Sequence, residues 1–112
     1  MVLGLLINNT VNADETFLSC TSDSGGSITL SFDTKTKIGK EYVGGDSKII
    51  YDLNISDANL LFQRFYEGSF IRGWNIDRYS GNATLNSTFN SDPNDKSIRS
   101  YEYNCRRGSK IF

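Results

Sequence analysis

Short stretches of alternating apolar and polar residues, separated by turn residues, recur along the chain and constrain its fold more than any other feature. In Ser27–Asp33 the side chains of Ile28, Leu30 and Phe32 alternate with polar ones, and Lys48–Ile55 repeats the pattern. A period of two is typical of a β-strand with one buried face. The sequence therefore predicts an all-β protein in which each strand contributes one side to a core.

Up to eight such segments follow one another, with tight turns between them. The candidate strands cover residues 17–20, 27–33, 38–43, 48–55, 60–66, 70–79, 83–89 and 98–105. Short strands joined by short turns are typical of an antiparallel meander, so we expect a small barrel or a sandwich of about seven to eight strands. A chain of 112 residues has room for one core, and we assign residues 14–112 to a single β domain.

The stretch 56–67 is ambiguous. It fits a short helix, since Ser56 suits a helix start, Gly68 suits a helix end, and the apolar residues between them recur at helical spacing. The same stretch fits a strand over 60–66 that turns at Glu67-Gly68-Ser69 into the next strand. The residues alone leave both the short helix and the hairpin open.

Cys20 and Cys105 are the only cysteines, and they lie in the first and last candidate strands. In a small exported domain such a pair is more often a disulfide than two reactive thiols. A disulfide closing a loop of about 85 residues would reduce the conformational entropy of the unfolded chain, which stabilises the folded state by about 4.5 kcal/mol in the chain-entropy model. Pairing of the first and last strands would close the sheet and bring Cys20 beside Cys105. The alternative is two buried free thiols.

The first 13 residues predict export. Val2–Ile7 is a short apolar run, Val11 and Ala13 fit a cleavage site, and the acidic Asp14 and Glu15 follow at once. We therefore assign residues 1–13 to a truncated signal segment of a periplasmic or secreted protein. A basic region is missing before the apolar run, so the alternatives are a start farther upstream or an ordinary strand of a cytosolic protein. No other run approaches the ~20 apolar residues of a membrane span, so we expect a mature chain that does not cross a membrane.

Composition argues against several classes of function. The formal net charge of −1 leaves no electrostatic footprint for a nucleic-acid partner. The absence of histidine excludes Ser-His and Cys-His catalytic pairs, and two cysteines without histidine cannot complete a structural zinc site. Acid–base chemistry would have to use carboxylates, most of which lie at turns or on polar faces: Asp33, Asp46, Asp52, Asp57, Asp77 and Glu102. We expect no enzyme activity, no cofactor and no metal, and a small carboxylate-based hydrolase is the remaining enzymatic alternative.

Three groups of short motifs resemble a recurring type of small exported bacterial β-protein that has one disulfide and no assigned function. The motifs are Phe17-Leu-Ser-Cys20 with Ile28-Thr-Leu-Ser-Phe-Asp33, then Ile76-Asp-Arg-Tyr-Ser-Gly81, then Tyr103-Asn-Cys105 with Phe112 close behind. Together they cover most of the chain after residue 13. In such proteins the Ile76–Gly81 segment resembles a strand that enters a hairpin turn. The resemblance implies a preceding strand at 60–66 and favours the hairpin over the helix.

A second resemblance is to the periplasmic inhibitors of c-type lysozyme, which are small β-barrels with a disulfide between the chain ends. The strand that contains Cys20 and the following strand Ser27–Asp33 are similar to the opening strands of these inhibitors. The inhibitors' Ser-Gly-x-x-Tyr loop and Trp-x-Lys-Gly strand, which enter the lysozyme cleft, are absent from this chain. The resemblance implies an alternative function, inhibition of a lysozyme-like cell-wall lytic enzyme through a loop such as Tyr79–Asn82.

The segment Ile76–Gly81 and its surroundings are also the best candidates for recognition. Tyrosine, tryptophan and arginine dominate binding hot spots, and the candidate patch combines these types with small turn residues. Its members are Arg72, Arg78, Tyr79, Ser80 and Gly81. The alternative is that the same residues only build a strand end and a turn. The sequence thus predicts a non-enzymatic, exported or envelope-associated binding domain whose partner is a protein or a small ligand.

Overall fold

The computed structural model describes residues 15–88 and 97–107, so the predicted signal segment at 1–13 lies outside the described residues. Eight strands occupy these ranges: β1 (Glu15–Thr21), β2 (Ser27–Asp33), β3 (Ile38–Gly44), β4 (Ser47–Ile55), β5 (Asn59–Tyr66), β6 (Ser69–Asp77), β7 (Asn82–Ser87) and β8 (Arg99–Arg107). Each strand pairs antiparallel with the next, and β8 pairs with β1 to close a barrel. The predicted all-β meander is confirmed, and it is a barrel and not a sandwich.

The ambiguous stretch forms a strand, and the described ranges contain no helix. The hairpin is therefore confirmed, and the short helix at 56–67 is wrong. Alternate residues Leu60 and Phe62 enter the core, while the aromatic residues nearer the hairpin tip are exposed, which a local helical pattern cannot reveal. Ser56 stabilises the β4–β5 turn instead of a helix start, since its hydroxyl accepts a hydrogen bond from the amide of Asn59 at 3.0 Å.

The closure of the barrel is a short seam held by a disulfide. Within the described residues, which end at Arg107, β1 and β8 share four residue pairs, from Leu18↔Arg107 to Thr21↔Asn104. One of these pairs is Cys20↔Cys105, and the two cysteines are joined by a disulfide. The predicted disulfide is confirmed, and the alternative of two free thiols is wrong. The covalent bond therefore lies at the point where the first and last strands complete the sheet.

Large side chains fill the interior of the barrel. Trp74, Tyr51, Phe62 and Leu30 are essentially inaccessible to solvent. The ring centroids of Tyr51 and Phe62 are 5.8 Å apart, and that of Trp74 is 5.1 Å from the ring centroid of Tyr103. Such contacts add to the free energy gained from burying apolar surface. The centre of the barrel is thus a packed core and not a ligand chamber.

Gly39 leaves the space that one of these rings occupies. It faces the interior in register with Phe32 and Tyr51, and a Cβ atom built on it would lie 2.6 Å from the Phe62 ring. Because real Cβ atoms do not approach so closely, Gly39→Ala would force the ring or the backbone to move. We expect this substitution to lower the free energy of unfolding by about 1–3 kcal/mol, measured by urea denaturation.

Two variants test this explanation. Ser19→Ala, at an exposed strand position, is the control and is expected to change the free energy of unfolding by less than about 0.5 kcal/mol. Gly39→Ala should lower the free energy of unfolding less in a Phe62→Leu background than in the wild type, because leucine removes the ring with which the new methyl group clashes. If Gly39→Ala costs the same in the wild-type and Phe62→Leu backgrounds, the role assigned to the Phe62 ring is contradicted.

The strand order gives the barrel two different ends. The distal end carries the β1–β2, β3–β4 and β5–β6 turns and the beginning of β8. The proximal end carries the β2–β3, β4–β5 and β6–β7 turns, and here the described chain enters at Glu15 and leaves at Arg107. The two ends carry different polar side chains, and each end holds one of the candidate sites described below.

Candidate functional site

A buried ion pair crosses the barrel near its distal end. Glu41 on β3 is only 2% exposed and points into the core, in register with Leu30 and Ile49 on the neighbouring strands. Arg72 on β6 reaches it from the other side of the barrel. The Arg72 Nη2 lies 2.8 Å from Glu41 Oε2, and its Nε donates to Oε1 at 3.2 Å. Such two-point contacts are the strongest and most directional that arginine makes with a carboxylate.

Two core aromatic residues complete the coordination of this carboxylate. Tyr51 donates its hydroxyl proton to Glu41 Oε1 at 2.5 Å, and Trp74 donates its indole N–H to the same oxygen at 3.0 Å. The Arg72 Nε also donates to the Tyr51 hydroxyl oxygen at 3.0 Å. Within the described ranges no buried side-chain nitrogen or oxygen lacks a hydrogen-bond partner. The charged group is therefore fully satisfied, as a charge in an apolar core must be.

The network fixes the protonation states of its members. Burial alone would raise the pKa of Glu41, but hydrogen bonds from Arg72, Tyr51 and Trp74, together with the Arg72 charge, outweigh it and hold the pKa below its ordinary value. Burial, aided by the neighbouring carboxylate, raises the pKa of Tyr51. Glu41 is therefore an anion and Tyr51 is neutral near neutral pH. Chemically, the network anchors the Arg72 guanidinium in one position and does not poise a proton for transfer.

Arg72 belongs to a row of residues that runs across four adjacent strands, which we call the arginine row. Arg64 on β5 lies opposite Arg72, Arg72 lies opposite Ser87 on β7, and Ser87 lies opposite Arg99 on β8. Neighbouring strands are about 4.8 Å apart, so the row spans roughly 14 Å. Three arginines thus lie in one cross-strand row at the distal end of the barrel.

A cavity of about 310 Å³ opens beside the arginine row. The residues that line it are Lys48, Ile49, Arg64, Ile71 and Arg72. A second cavity, of about 250 Å³, adjoins it on the outside of the barrel, where Ile50, Phe65 and Tyr66 are exposed. The distal end therefore combines guanidinium groups with apolar and aromatic surface.

The structure separates the residues of the predicted recognition patch. Arg72 lies at the distal end and is largely taken up by Glu41, whereas the other four members lie in or beside the β6–β7 turn at the proximal end. Those four are Arg78, Tyr79, Ser80 and Gly81. Arg72 and the turn thus lie towards opposite ends of β6. Recognition by the turn alone stays a prediction.

The β6–β7 turn is rigidly built around Asp77. Its Oδ1 accepts hydrogen bonds from the amides of Tyr79 at 2.8 Å and Ser80 at 3.1 Å, and these bonds hold the pKa of Asp77 below its ordinary value. Gly81 adopts a φ of 81°, and a Cβ there would collide with the carbonyl oxygen of Cys105. Asp77 and Gly81 thus have structural roles in the turn, and the Tyr79 side chain projects from it with 82% of its surface exposed.

Sequence reasoning missed the carboxylate that matters most. Of the six candidates, Asp33 and Asp77 accept hydrogen bonds from backbone amides of turns, and the other four lie at exposed positions. Glu41 was not among them. The signal that would have found it is Arg72, which alternates in phase with the core residues Trp74 and Ile76 and therefore requires a buried anion. Across 15–88 and 97–107, no three aspartate, glutamate, cysteine or histidine residues are grouped as a metal site.

Comparisons with known proteins leave the geometry as the basis for a functional assignment. In the described part of the chain, no helix is long and apolar enough to cross a membrane. No family model, no curated protein and no solved structure matches this chain.

Proposed function

We propose that this protein is an exported, non-enzymatic binding module that recognises its partner with the distal end of the barrel. The observation that carries the proposal is the combination of a filled interior with a distal end rich in exposed apolar and cationic side chains. Large side chains fill the middle of the barrel, so binding would take place at its ends, where cavities of about 260 Å³ and 310 Å³ open at the proximal and distal end. The disulfide is consistent with a compartment outside the reducing cytosol, which supports a periplasmic or secreted location.

Exposed apolar surface is concentrated at the distal end. Within the described ranges, the large hydrophobic residues exposed near this end are Val43, Ile50, Phe65, Tyr66, Ile98 and Tyr101. Tyr66 is the most exposed of them, at 66%. Aromatic residues beside arginine are typical of the anchors that dominate protein interfaces. The exposed Phe65 ring packs edge-on against Phe70, which holds it in place before a partner binds.

A second candidate function is inhibition of a lysozyme-like cell-wall lytic enzyme by the β6–β7 turn. The observation that favours it is the rigidity of that turn together with the exposure of Tyr79. A loop held in its binding conformation pays little ordering entropy when it enters a cleft, which is how preorganisation increases affinity. The two candidates use opposite ends of one small barrel, so point substitutions discriminate between them.

The decisive experiment compares Tyr66→Ser with Tyr79→Ser in capture of a partner from a cell-envelope preparation, followed by titration of the captured partner. Tyr66→Ser is expected to weaken binding by roughly thirtyfold, the effect of losing one interface anchor. Tyr79→Ser is the matched control, a tyrosine-to-serine change at the proximal end, and should leave the affinity unchanged. Both variants should unfold at the same urea concentration as the wild type.

The opposite pattern would overturn the distal assignment. If Tyr79→Ser abolishes binding and Tyr66→Ser does not, the proximal turn is the recognition site. Inhibition of c-type lysozyme that is lost in Tyr79→Ser and Ser80→Ala would then identify the inhibitor. Failure of the wild-type protein to capture any partner would contradict the binding-module proposal itself.

A further inference from the structure

We infer that the distal cavity beside the arginine row binds a tetrahedral dianion, the phosphate group of a phosphate monoester. The inference rests on the proposed function and names the chemical group that the distal end would recognise on its partner. Four observations carry it: the register of the arginines, their unequal occupation by protein acceptors, the charge that remains, and the cavity that Arg64 and Arg72 line.

The register places like charges directly beside each other. Arg64 and Arg72 are directly cross-strand neighbours, a position in which like charges destabilise a sheet. The described carboxylates do not relieve this repulsion, because Glu41 is the only one that forms an ion pair with a described arginine. The exposed Asp46 and Glu67 at the distal turns make no such pair. A bound anion would relieve the repulsion between Arg64 and Arg72, which the described residues of the sheet leave uncompensated.

The three arginines retain donors for that anion. Arg72 is positioned by Glu41 through Nε and Nη2, while its Nη1 has no hydrogen bond to the described residues and its side chain is still 26% exposed. Arg64 uses Nη1 to donate to the carbonyl oxygen of Ile50 at 3.2 Å, which leaves its other nitrogens available. Arg99 is exposed and makes no hydrogen bond or ion pair with a described residue. Arginine presents paired N–H groups that match phosphate and sulfate oxygens.

The charge balance favours a dianion over a monoanion. The charged residues at the cavity are Lys48, Arg64 and Arg72, together with the ionised Glu41 that pairs with Arg72, and their charges sum to +2. A group with two negative charges would neutralise them.

The cavity also has walls suited to an ester. Ile49 and Ile71 line it together with Arg64 and Arg72, and apolar walls strengthen the attraction between an anion and the guanidinium groups. Its volume of about 310 Å³ exceeds that of one tetrahedral oxyanion, which leaves room for part of the group that carries the ester. A phosphate monoester therefore fits this cavity better than a free inorganic ion, which would leave the apolar walls uncovered.

Binding is tested on the full chain by NMR titration of backbone amides with inorganic phosphate and, separately, with inorganic sulfate. Sodium acetate at matched ionic strength is the monoanionic probe. We expect saturable shifts confined to the distal ends of β4, β5 and β6, with a dissociation constant for phosphate or sulfate at least roughly tenfold below that for acetate. Arg64→Gln and Lys48→Gln, at two residues that line the cavity, should each weaken phosphate and sulfate binding by roughly tenfold, the loss of one charge-assisted contact. Arg106→Gln, at an exposed proximal position, is the matched control and should have no effect.

Each result decides the inference. Preference for phosphate over sulfate supports a phosphate monoester as the ligand, and preference for sulfate over phosphate overturns that assignment. Shifts that do not saturate, or that are equal at the proximal arginines, overturn the site, and equal binding of acetate overturns the dianion. If the site fails while Tyr66→Ser still abolishes partner capture, the binding-module proposal survives without it. If sulfate or phosphate binds while Tyr66→Ser leaves capture intact, the anion site stands and the aromatic anchor fails.

Discussion

Replacing Arg72 with methionine is expected to lower the free energy of unfolding by about 3–5 kcal/mol at neutral pH. The substitution removes the only cation that pairs with Glu41 in the described structure and leaves an ionised carboxylate in the core. Methionine keeps most of the apolar stem of arginine, so the loss reports the charge and not a cavity. Urea denaturation followed by the fluorescence of the single tryptophan, Trp74, measures the change directly, since that side chain donates to the same carboxylate.

The pH dependence of this loss has a definite sign. In the wild type the pKa of Glu41 is lowered on folding, so the ion pair contributes stability above the ordinary glutamate pKa, and this contribution is lost as the pH falls through the folded value. In Arg72→Met, burial would act with little opposition, and we expect the pKa of Glu41 to rise. The variant would then recover stability as acid protonates the buried carboxyl group. The difference between wild type and variant should therefore shrink from pH about 7 towards pH about 4.

Two further variants isolate the cause. Glu41→Gln combined with Arg72→Met removes both charges and should be less destabilised than Arg72→Met alone, because no unpaired charge remains. Arg106→Met makes the same chemical change at an exposed position and should alter the free energy of unfolding by less than about 0.5 kcal/mol. A double variant as unstable as Arg72→Met at every pH would contradict the electrostatic explanation and would assign the loss to packing.

Replacing both cysteines with alanine is expected to lower the free energy of unfolding by about 4.5 kcal/mol. The disulfide joins residues 85 positions apart, so it excludes most of the extended conformations that the unfolded chain would otherwise sample. The same bond joins directly paired residues of the two strands that close the barrel, so its loss also removes a cross-link at the closure. Since small domains have a net stability of about 5–15 kcal/mol, the change would remove a large part of it.

The seam gives this prediction a local signature. In the double alanine variant, amide hydrogen exchange should accelerate first in Leu18–Thr21 and in residues 104–107, ahead of the long β5–β6 hairpin. The wild-type protein, purified without reductant, should be lighter than its reduced form by two hydrogen atoms. A mass that indicates two free thiols, or uniform exchange across the barrel in the variant, would contradict the role assigned to the disulfide.

The sequence predicted the features that depend on local alternation. Strands such as Ser27–Asp33 keep apolar residues on one face, so their existence follows from a period of two, and the positions of Cys20 and Cys105 predicted which strands close the barrel. The phase of Arg72 with Trp74 was also visible. In the ambiguous segment 56–67 the residues alone did not choose between helix and hairpin, because exposed aromatic residues at a hairpin tip imitate the spacing of an amphipathic helix.

The site was less accessible to sequence reasoning because it depends on partners far apart in the chain. Glu41 lies in a strand whose inward positions include glycine and glutamate, so β3 lacks the apolar face that marks the other strands. The arginine row arises only when the register of four strands is known, since Arg64, Arg72 and Arg99 belong to different strands. Conversely, proximity in sequence suggested one patch from Arg72 to Gly81, although a strand that crosses the barrel places its two ends far apart.

The even number of strands has a consequence for how this domain would be attached to anything else. A closed meander of eight strands brings the described chain in and out on the same side, at Glu15 and Arg107, away from the mouth that holds the arginines. A tether, a fusion partner or a sensor surface joined through either of these points would leave that mouth facing outward. Copies of the barrel immobilised through either point would therefore all display the distal end in the same orientation.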